Sequence, residues 1–235
     1  MSSRDLIGLL ASFGYAFGLL LAAEGIRKAR GWPQGFTRKC VHVGAGLWVW
    51  AQLALFEHWY IGLIPFATFI VLNYLFYRQQ VFKAVDSASS TPGTVYFALS
   101  ITVLYGLLWR TGGQLDRAPV ATAAVMAMTL GDAAASIVGE RWGRRGYTIF
   151  GAHRTWLGSA AMAVFSLAGI AFTLLVLPGS ALSPGSVPLG AAGALGQAVA
   201  ATIVAVLAEA VSPAGTDNLS VPLATGLSLF LMSLI

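Results

Sequence analysis

The 235-residue chain is predicted to be all-α, a polytopic integral membrane bundle of about 7–8 transmembrane helices. Three observations lead there. Hydrophobic residues make up 57% of the chain and charged residues only 10%, where soluble domains carry about a quarter charged. The mean hydropathy is +0.75. Uncharged stretches approaching the roughly 20 apolar residues that a helix needs to cross a hydrocarbon core recur from one end of the sequence to the other. This composition excludes a water-soluble globular enzyme. It also excludes a disordered chain, which would be rich in charge and poor in apolar residues. Fourteen Lys+Arg against nine Asp+Glu give a net charge of +5, a topology signal in this setting and not the mark of a nucleic-acid partner. The single cysteine, Cys40, can form no internal disulfide and belongs to no metal-binding or redox motif.

Eight spans follow in order. Residues 6–23 are uncharged and run into Glu24 and a basic loop, as a retained first helix does and a cleaved leader does not. Residues 40–56, 59–77, 95–109 and 118–138 supply the next four, the second and fourth spans being the shortest or most polar. No charge occurs between Thr155 and Ala208, but Pro178-Gly-Ser-Ala-Leu-Ser-Pro-Gly-Ser-Val-Pro188 breaks that stretch with turn residues, leaving spans 156–177 and 189–208. Residues 219–235 form the last. The odd-numbered loops hold eleven of the fourteen basic residues, so the positive-inside rule makes those loops cytoplasmic and turns both termini outward. Without an internal repeat, a low-complexity tract or a linker, the whole of 1–235 reads as one membrane domain.

An ionisable group inside a span is energetically costly and is a functional candidate by default. Asp132 is the clearest. In Leu130-Gly-Asp-Ala-Ala-Ala-Ser-Ile-Val-Gly-Glu-Arg-Trp-Gly143, helical spacing puts Asp132, Ser136, Gly139 and Gly143 on one stripe behind Gly131. Small residues there leave room for a ligand, or simply let two helices approach closely. The fifth loop continues with Arg141, Arg144 and Arg145 and then Gly151-Ala-His-Arg-Thr-Trp-Leu-Gly-Ser159. Arg154, Thr155, Gly158 and Ser159 at a helix N-terminus form a candidate phosphate cradle, whereas the charge run alone also suits contact with anionic lipid.

Glu209, Asp217 and Asn218 bring oxygen ligands to the seventh loop, which has no basic residue of its own. Hard cations such as Mg²⁺ select carboxylate, amide and water oxygens. The bland alternative is that Asp217 and Asn218 cap a helix. In the first loop Thr37 is a candidate cap for the second span, and Arg38, Lys39 and His42 follow, with Arg38 and His42 four apart on one face. Asn73 is expected to make a helix–helix hydrogen bond.

In combination these segments resemble the polyprenol kinase family, which includes phytol kinases, dolichol kinases and CTP-dependent diacylglycerol kinases. The resemblance runs from Thr37 to Pro222 and rests on Arg38-Lys-Cys-Val-His42 with Gly44, Gly131-Asp132 through Gly139 and Gly143, Arg154-Thr-Trp-Leu-Gly-Ser159, and Glu209 with Asp217-Asn-Leu-Ser-Val-Pro222. The last two pieces are most similar to the phytol kinase branch. Arg154 stands where relatives commonly have lysine, and Leu157 where some branches have glutamate.

The resemblance implies transfer of the γ-phosphoryl group of a nucleoside triphosphate, CTP by expectation, to the hydroxyl of an isoprenoid alcohol such as phytol or geranylgeraniol. It implies Asp132 and Asp217 as catalytic carboxylates, and Mg²⁺ or another divalent cation on Asp132, Glu209, Asp217 and Asn218. Nucleotide or phosphate contacts fall to Arg38, Lys39, His42, Gly131, Ser136, Gly139, Gly143, Arg154, Thr155, Gly158 and Ser159. The expected setting is a bacterial plasma membrane with the site on its cytoplasmic side. Three other readings compete: a diacylglycerol or other lipid kinase, a cytidylyltransferase that releases pyrophosphate, and a transporter. Transporters commonly show repeated halves meeting at mid-membrane, whereas the polar residues here gather at one surface.

Overall fold

The computed structural model describes residues 1–86, 91–112, 115–213 and 215–234. Among the described residues nine α-helices run in order: α1 Ser3–Arg30, α2 Gln34–Leu55, α3 Trp59–Gln79, α4 Gly93–Leu108, α5 Ala118–Met126, α6 Ala133–Trp142, α7 Trp156–Val176, α8 Ala191–Val211 and α9 Asp217–Met232. A π-helical turn, Ala127–Asp132, joins α5 to α6, so Ala118–Trp142 is one rod and the bundle has eight. Among the described residues five rods are long and apolar enough to cross a membrane (α1, α3, α5–α6, α7 and α8), and α4 is a shorter apolar helix. The all-helical membrane bundle expected from the hydropathy pattern is the fold observed.

The α5–α6 rod is the hub. It contacts α2, α4, α7, α8 and α9, and 78% of its apolar window is buried. Its composition explains this position: Ala121, Ala123, Ala124 and Ala127 are fully buried, and side chains this small let neighbouring backbones come close, which is how helices associate where no water drives them together. Outside it, α1 and α3 carry apolar residues to the bundle surface, among them Ile7, Leu10, Leu21, Val71 and Leu75.

Local chemistry sets the ends. Ser2 caps α1 in a reciprocal capping box with Asp5. Asp5 also accepts from the Glu57 and His58 amides and pairs with His58 Nδ1 at 2.7 Å, which ties the start of α1 to the α2–α3 turn. Gly31, at φ 65°, closes α1. Asn73 Nδ2 donates to Thr94 O at 3.0 Å, the helix–helix bond expected of it.

Several boundaries move from their sequence positions. The second span begins at Gln34 and not at 40, because Arg38 and Lys39 sit within the helix with their side chains turned inward. Thr37 is therefore no cap: α2 starts after Pro33, and the Thr37 hydroxyl donates to Ala84 O at 2.7 Å. The first span extends to Arg30, the fifth to Trp142 and the seventh to Val211, while the eighth runs from Asp217 to Met232. Ile235 lies outside the described residues. The fifth loop contains a β-hairpin, β1 Gly146–Ile149 paired antiparallel with β2 Ala152–Thr155, turned by Phe150 and Gly151 at φ 47° and 81°. Two successive positive φ values match a primed two-residue turn.

Candidate active site

Four segments far apart in sequence meet at one end of the bundle: the first turns of α2, the π-turn and α6, the hairpin leading into α7, and the α8–α9 junction. They enclose a polar cavity of about 370 Å³ lined by Arg38, Lys39, Asp132, Ser136, Gly139, Glu140, His153, Arg154, Thr155, Gly158, Ser159, Glu209 and Asp217. That volume falls within the range of small-molecule sites.

Asp132 is the last residue of the π-turn and is 4% exposed. Its Oδ2 lies 2.7 Å from Lys39 Nζ, a buried ion pair, and 3.7 Å from His42 Nε2. His42 Nε2 is also 3.2 Å from Met128 O, within the π-turn itself. A π-turn often marks a functional site because it re-aims the residues around it, and here it carries Asp132 at its end. The stripe expected from the sequence begins at Asp132, the last residue of the irregular turn, and continues along α6, so α-helical spacing holds beyond it. Ser136 lies in the same cavity and donates to Glu140 at 2.7 Å.

Arg154 lies in β2, one residue before its end, and spans Glu209 and Asp217. Its Nε pairs with Glu209 Oε1, and its Nη2 reaches Asp217 Oδ2 at 3.3 Å and Ser212 O at 3.1 Å. A planar fork with five donors suits such a junction, and it supplies the cation that the seventh loop lacks. Glu209 Oε2 is buried with no hydrogen-bond partner among the described residues.

The glycines expected in the cradle chiefly serve packing. A Cβ on Gly139 would fall 2.8 Å from Thr155 Oγ1, and one on Gly158 would fall 2.9 Å from Ala135 O, so this pair lets α6 and α7 touch. Gly131 and Gly143 do not line the cavity. Thr155 caps α7 by accepting from the Gly158 amide at 3.1 Å, which commits that amide to the protein, and Ser159 Oγ lies 2.6 Å from Tyr147 OH.

Beside this cavity runs an apolar groove of about 130 Å³ between α1, α2, α3 and α4, a feature that no sequence signal announced. Tyr15, Trp48, Phe66, Phe69, Phe76 and Phe97 wall it. Arg38 and Lys39 line both spaces, and His42 faces the groove against the Phe97 ring. Asn218, expected with Asp217, lines the groove and not the cavity.

Asp86, in the turn after α3, also lines the groove. It was missed because one acid in a basic loop carries no pattern. It is 3% exposed, and burial raises its carboxyl to about 6 while nearby Arg38 pulls in the opposite direction.

A polar cavity lined by both carboxylates and cationic side chains, adjoining an apolar groove within a helical membrane bundle, marks an integral membrane protein with two chemically different binding surfaces side by side. Comparison with known proteins gives the particular chemistry. The chain is 30% identical over 235 residues to the phytol kinase of Synechocystis sp., covering 94% of this chain and 88% of that one. It is 28% identical over 239 residues, 95% and 76% of the two chains, to a protein of Triticum aestivum named "Probable phytol kinase, chloroplastic". A similar protein of Oryza sativa subsp. japonica, "Probable phytol kinase 1, chloroplastic", is 27% identical over 244 residues, 97% and 74% of the two chains. No family model and no solved structure matches. The chain belongs to the polyprenol kinase family, in its phytol kinase branch, and is an alcohol phosphotransferase of the membrane.

Proposed function

We propose that the protein transfers the γ-phosphoryl group of CTP to the hydroxyl of a long isoprenoid alcohol, phytol or geranylgeraniol. The observation that carries this reading is the shared Arg38–Lys39 edge: a polar cavity and an apolar groove open on either side of it, with Asp132 and His42 between. Phosphoryl transfer asks a protein mainly for positioning and charge neutralisation, and this edge can provide both.

The nucleotide's phosphates occupy the polar cavity against Arg38, Lys39 and Arg154, and the alcohol's chain lies among the groove aromatics. The alcohol oxygen attacks the γ-phosphorus, the bond to the β-phosphate oxygen breaks, CDP leaves, and Asp132 accepts the hydroxyl proton. Lys39 pairs with the Asp132 carboxylate and fixes its position at the cavity wall.

Asp132, Glu209 and Asp217 line one cavity, and the free Glu209 Oε2 leaves an oxygen to offer, a donor set that suits a hard divalent cation. Mg²⁺ held there supplies charge neutralisation on the phosphates. Asn218 lies in the groove and is left out of that set. The eleven basic residues at this end favour the cytoplasmic face of a plasma membrane.

Membranes carrying the wild type or Asp132→Asn, incubated with Mg²⁺, phytol and γ-labelled CTP, test the reading. Labelled phytyl phosphate that disappears in the variant supports it. Pyrophosphate release in place of CDP would mean cytidylyl transfer. Absence of lipid label with phytol, geranylgeraniol or diacylglycerol, from CTP or ATP, would overturn the kinase reading.

A further inference from the structure

The groove is walled mainly by apolar and aromatic side chains, and the polar side chains Ser12, Tyr15 and Asn73 within it are hydrogen-bonded to the protein. Three other polar side chains, from three different segments, also line it: Asp86 from the turn after α3, Thr94 from the first turn of α4, and Asn218 from the first turn of α9. Each has a buried oxygen without a hydrogen-bond partner among the described residues, namely Asp86 Oδ1, Thr94 Oγ1 and Asn218 Oδ1. Buried polar atoms are nearly always paired, because an unpaired one loses its hydration for nothing in return, so a group of three calls for a partner.

The surrounding structure holds these atoms in place. The Asp86 turn is closed by the Val85 and Asp86 amides donating to Phe82 O at 3.0 and 2.9 Å. Ala84 at its centre is gripped from both sides: its amide donates to Glu24 Oε2 at 2.8 Å, and its carbonyl accepts from the Thr37 hydroxyl at 2.7 Å. Phe82 and Val85 seat the turn in a small core with Leu20, Ala23, Val41, Phe69 and Phe76. On the facing side, a Cβ on Gly93 would fall 2.9 Å from Asn218 Nδ2, so the glycine admits Asn218 beside Thr94. A carboxylate kept this dry on a fixed turn is not a solvated surface acid.

We propose that Asp86, Thr94 and Asn218 form the seat of the acceptor's hydroxyl. Before transfer the primary alcohol of a long apolar chain donates its O–H to Asp86 Oδ1 and accepts from the Thr94 hydroxyl, while the chain extends down the groove; at transfer the O–H turns from Asp86 to Asp132. Asn218 Oδ1 shares the Thr94 hydroxyl hydrogen with the alcohol oxygen in a three-centre bond. Asp86 is then a positioning and specificity residue: it presents the oxygen to Asp132 and the phosphates, and it discriminates an alcohol from a hydrocarbon of equal length. This assignment rests on the proposed function for its substrate class, but it can be tested without turnover.

The full chain, purified in nanodiscs without nucleotide, is titrated with radiolabelled phytol and with radiolabelled phytane, the corresponding hydrocarbon. The wild type should prefer the alcohol. Asp86→Ala should weaken phytol binding about tenfold and Thr94→Val by several-fold, the range expected when a hydrogen bond to a buried group is removed, with phytane unchanged. In turnover both variants should raise KM for phytol and leave KM for CTP unaltered. A variant that loses phytane as well has lost the groove, and Thr94→Val, close to isosteric, then decides.

Equal binding of phytol by the wild type and both variants would overturn the seat even if the wild type phosphorylates phytol. If the wild type transfers no phosphate yet loses phytol selectivity on substitution, the kinase reading falls and the seat stands.

Discussion

The polar cavity and the apolar groove are built in opposite ways. All but two of the cavity's lining residues lie at or after Asp132, and those two are Arg38 and Lys39. All but one of the groove's lie at or before Ile101, and that one is Asn218. The cavity is assembled from irregular pieces, namely a π-turn, a hairpin and the ends of α8 and α9, which present the helix ends, amides and guanidinium groups able to hold an anion. The groove is assembled mainly from the sides of helices, which present continuous apolar surface. Each half lends the other the residues that mark their meeting point. Two binding problems of opposite polarity can thus be solved by separate stretches of chain, provided that the few exchanged residues fix their relative position.

Substitution on either side of that meeting point probes this division. The largest effect is expected at the shared edge. Lys39→Met leaves the Asp132 carboxylate buried without its cation, so the variant should lose about 3–5 kcal/mol of stability. Thermal unfolding in detergent checks this, and residual activity should show KM raised for both substrates.

Arg154→Lys should come next. Lysine keeps the charge but not the fork that joins Glu209, Asp217 and Ser212. The expected result is a rise of about tenfold to a hundredfold in KM for the nucleotide, with KM for the alcohol unchanged. A matching rise for the alcohol would break the separation of the two halves.

Phe69→Ala enlarges the groove and should reverse the pattern. Selectivity between long and short isoprenoid alcohols should shift by about tenfold, in line with what an apolar pocket gains per methylene, with nucleotide kinetics unaltered. Paired alcohols in competition measure it.

The smallest effect concerns stability alone. Asp86 has a higher pKa in the folded chain, about 6, than the ordinary 3.8. The folded state therefore holds the proton more tightly, and the wild type loses stability as pH rises from about 4 through 6, then levels off. Asp86→Asn lacks that slope. Its advantage over the wild type should grow by about 1 kcal/mol between pH 4 and pH 7, discounted for solvent screening, as read by unfolding at both values.

Much of the fold was legible because crossing a bilayer imposes length and apolarity on each span. Where residues 178–188 interrupt the uncharged stretch, α7 and α8 do separate. Legibility failed where charge lies inside a helix: Arg38 and Lys39 read as loop, yet they belong to α2, since the partner of Lys39 is Asp132 of the π-turn, which cannot be seen from α2 alone. The glycines of 131–158 showed their small size in sequence, but not whether a ligand or a neighbouring helix fills the space, and for Gly139 and Gly158 the neighbouring helix occupies part of it. The hairpin had a faint signal in Gly146-Tyr-Thr-Ile149 and Gly151, which the surrounding arginines obscured.

Composition and hydropathy by themselves determined a membrane helical bundle, the segregation of basic residues to one face, and Asp132 as an ion within a span that requires a reason. These are properties of individual segments, governed by transfer from water to hydrocarbon. Only the tertiary structure decided that Lys39 answers Asp132, that Arg154 bridges Glu209 and Asp217, that Asn218 turns away from its neighbour into a groove, and that Asp86 lies buried in the groove's wall. Each of these is a pairing between segments 55 or more residues apart, or a burial created by such pairing. A pairing depends on which helix faces which, and hydropathy along one helix carries no record of its neighbours.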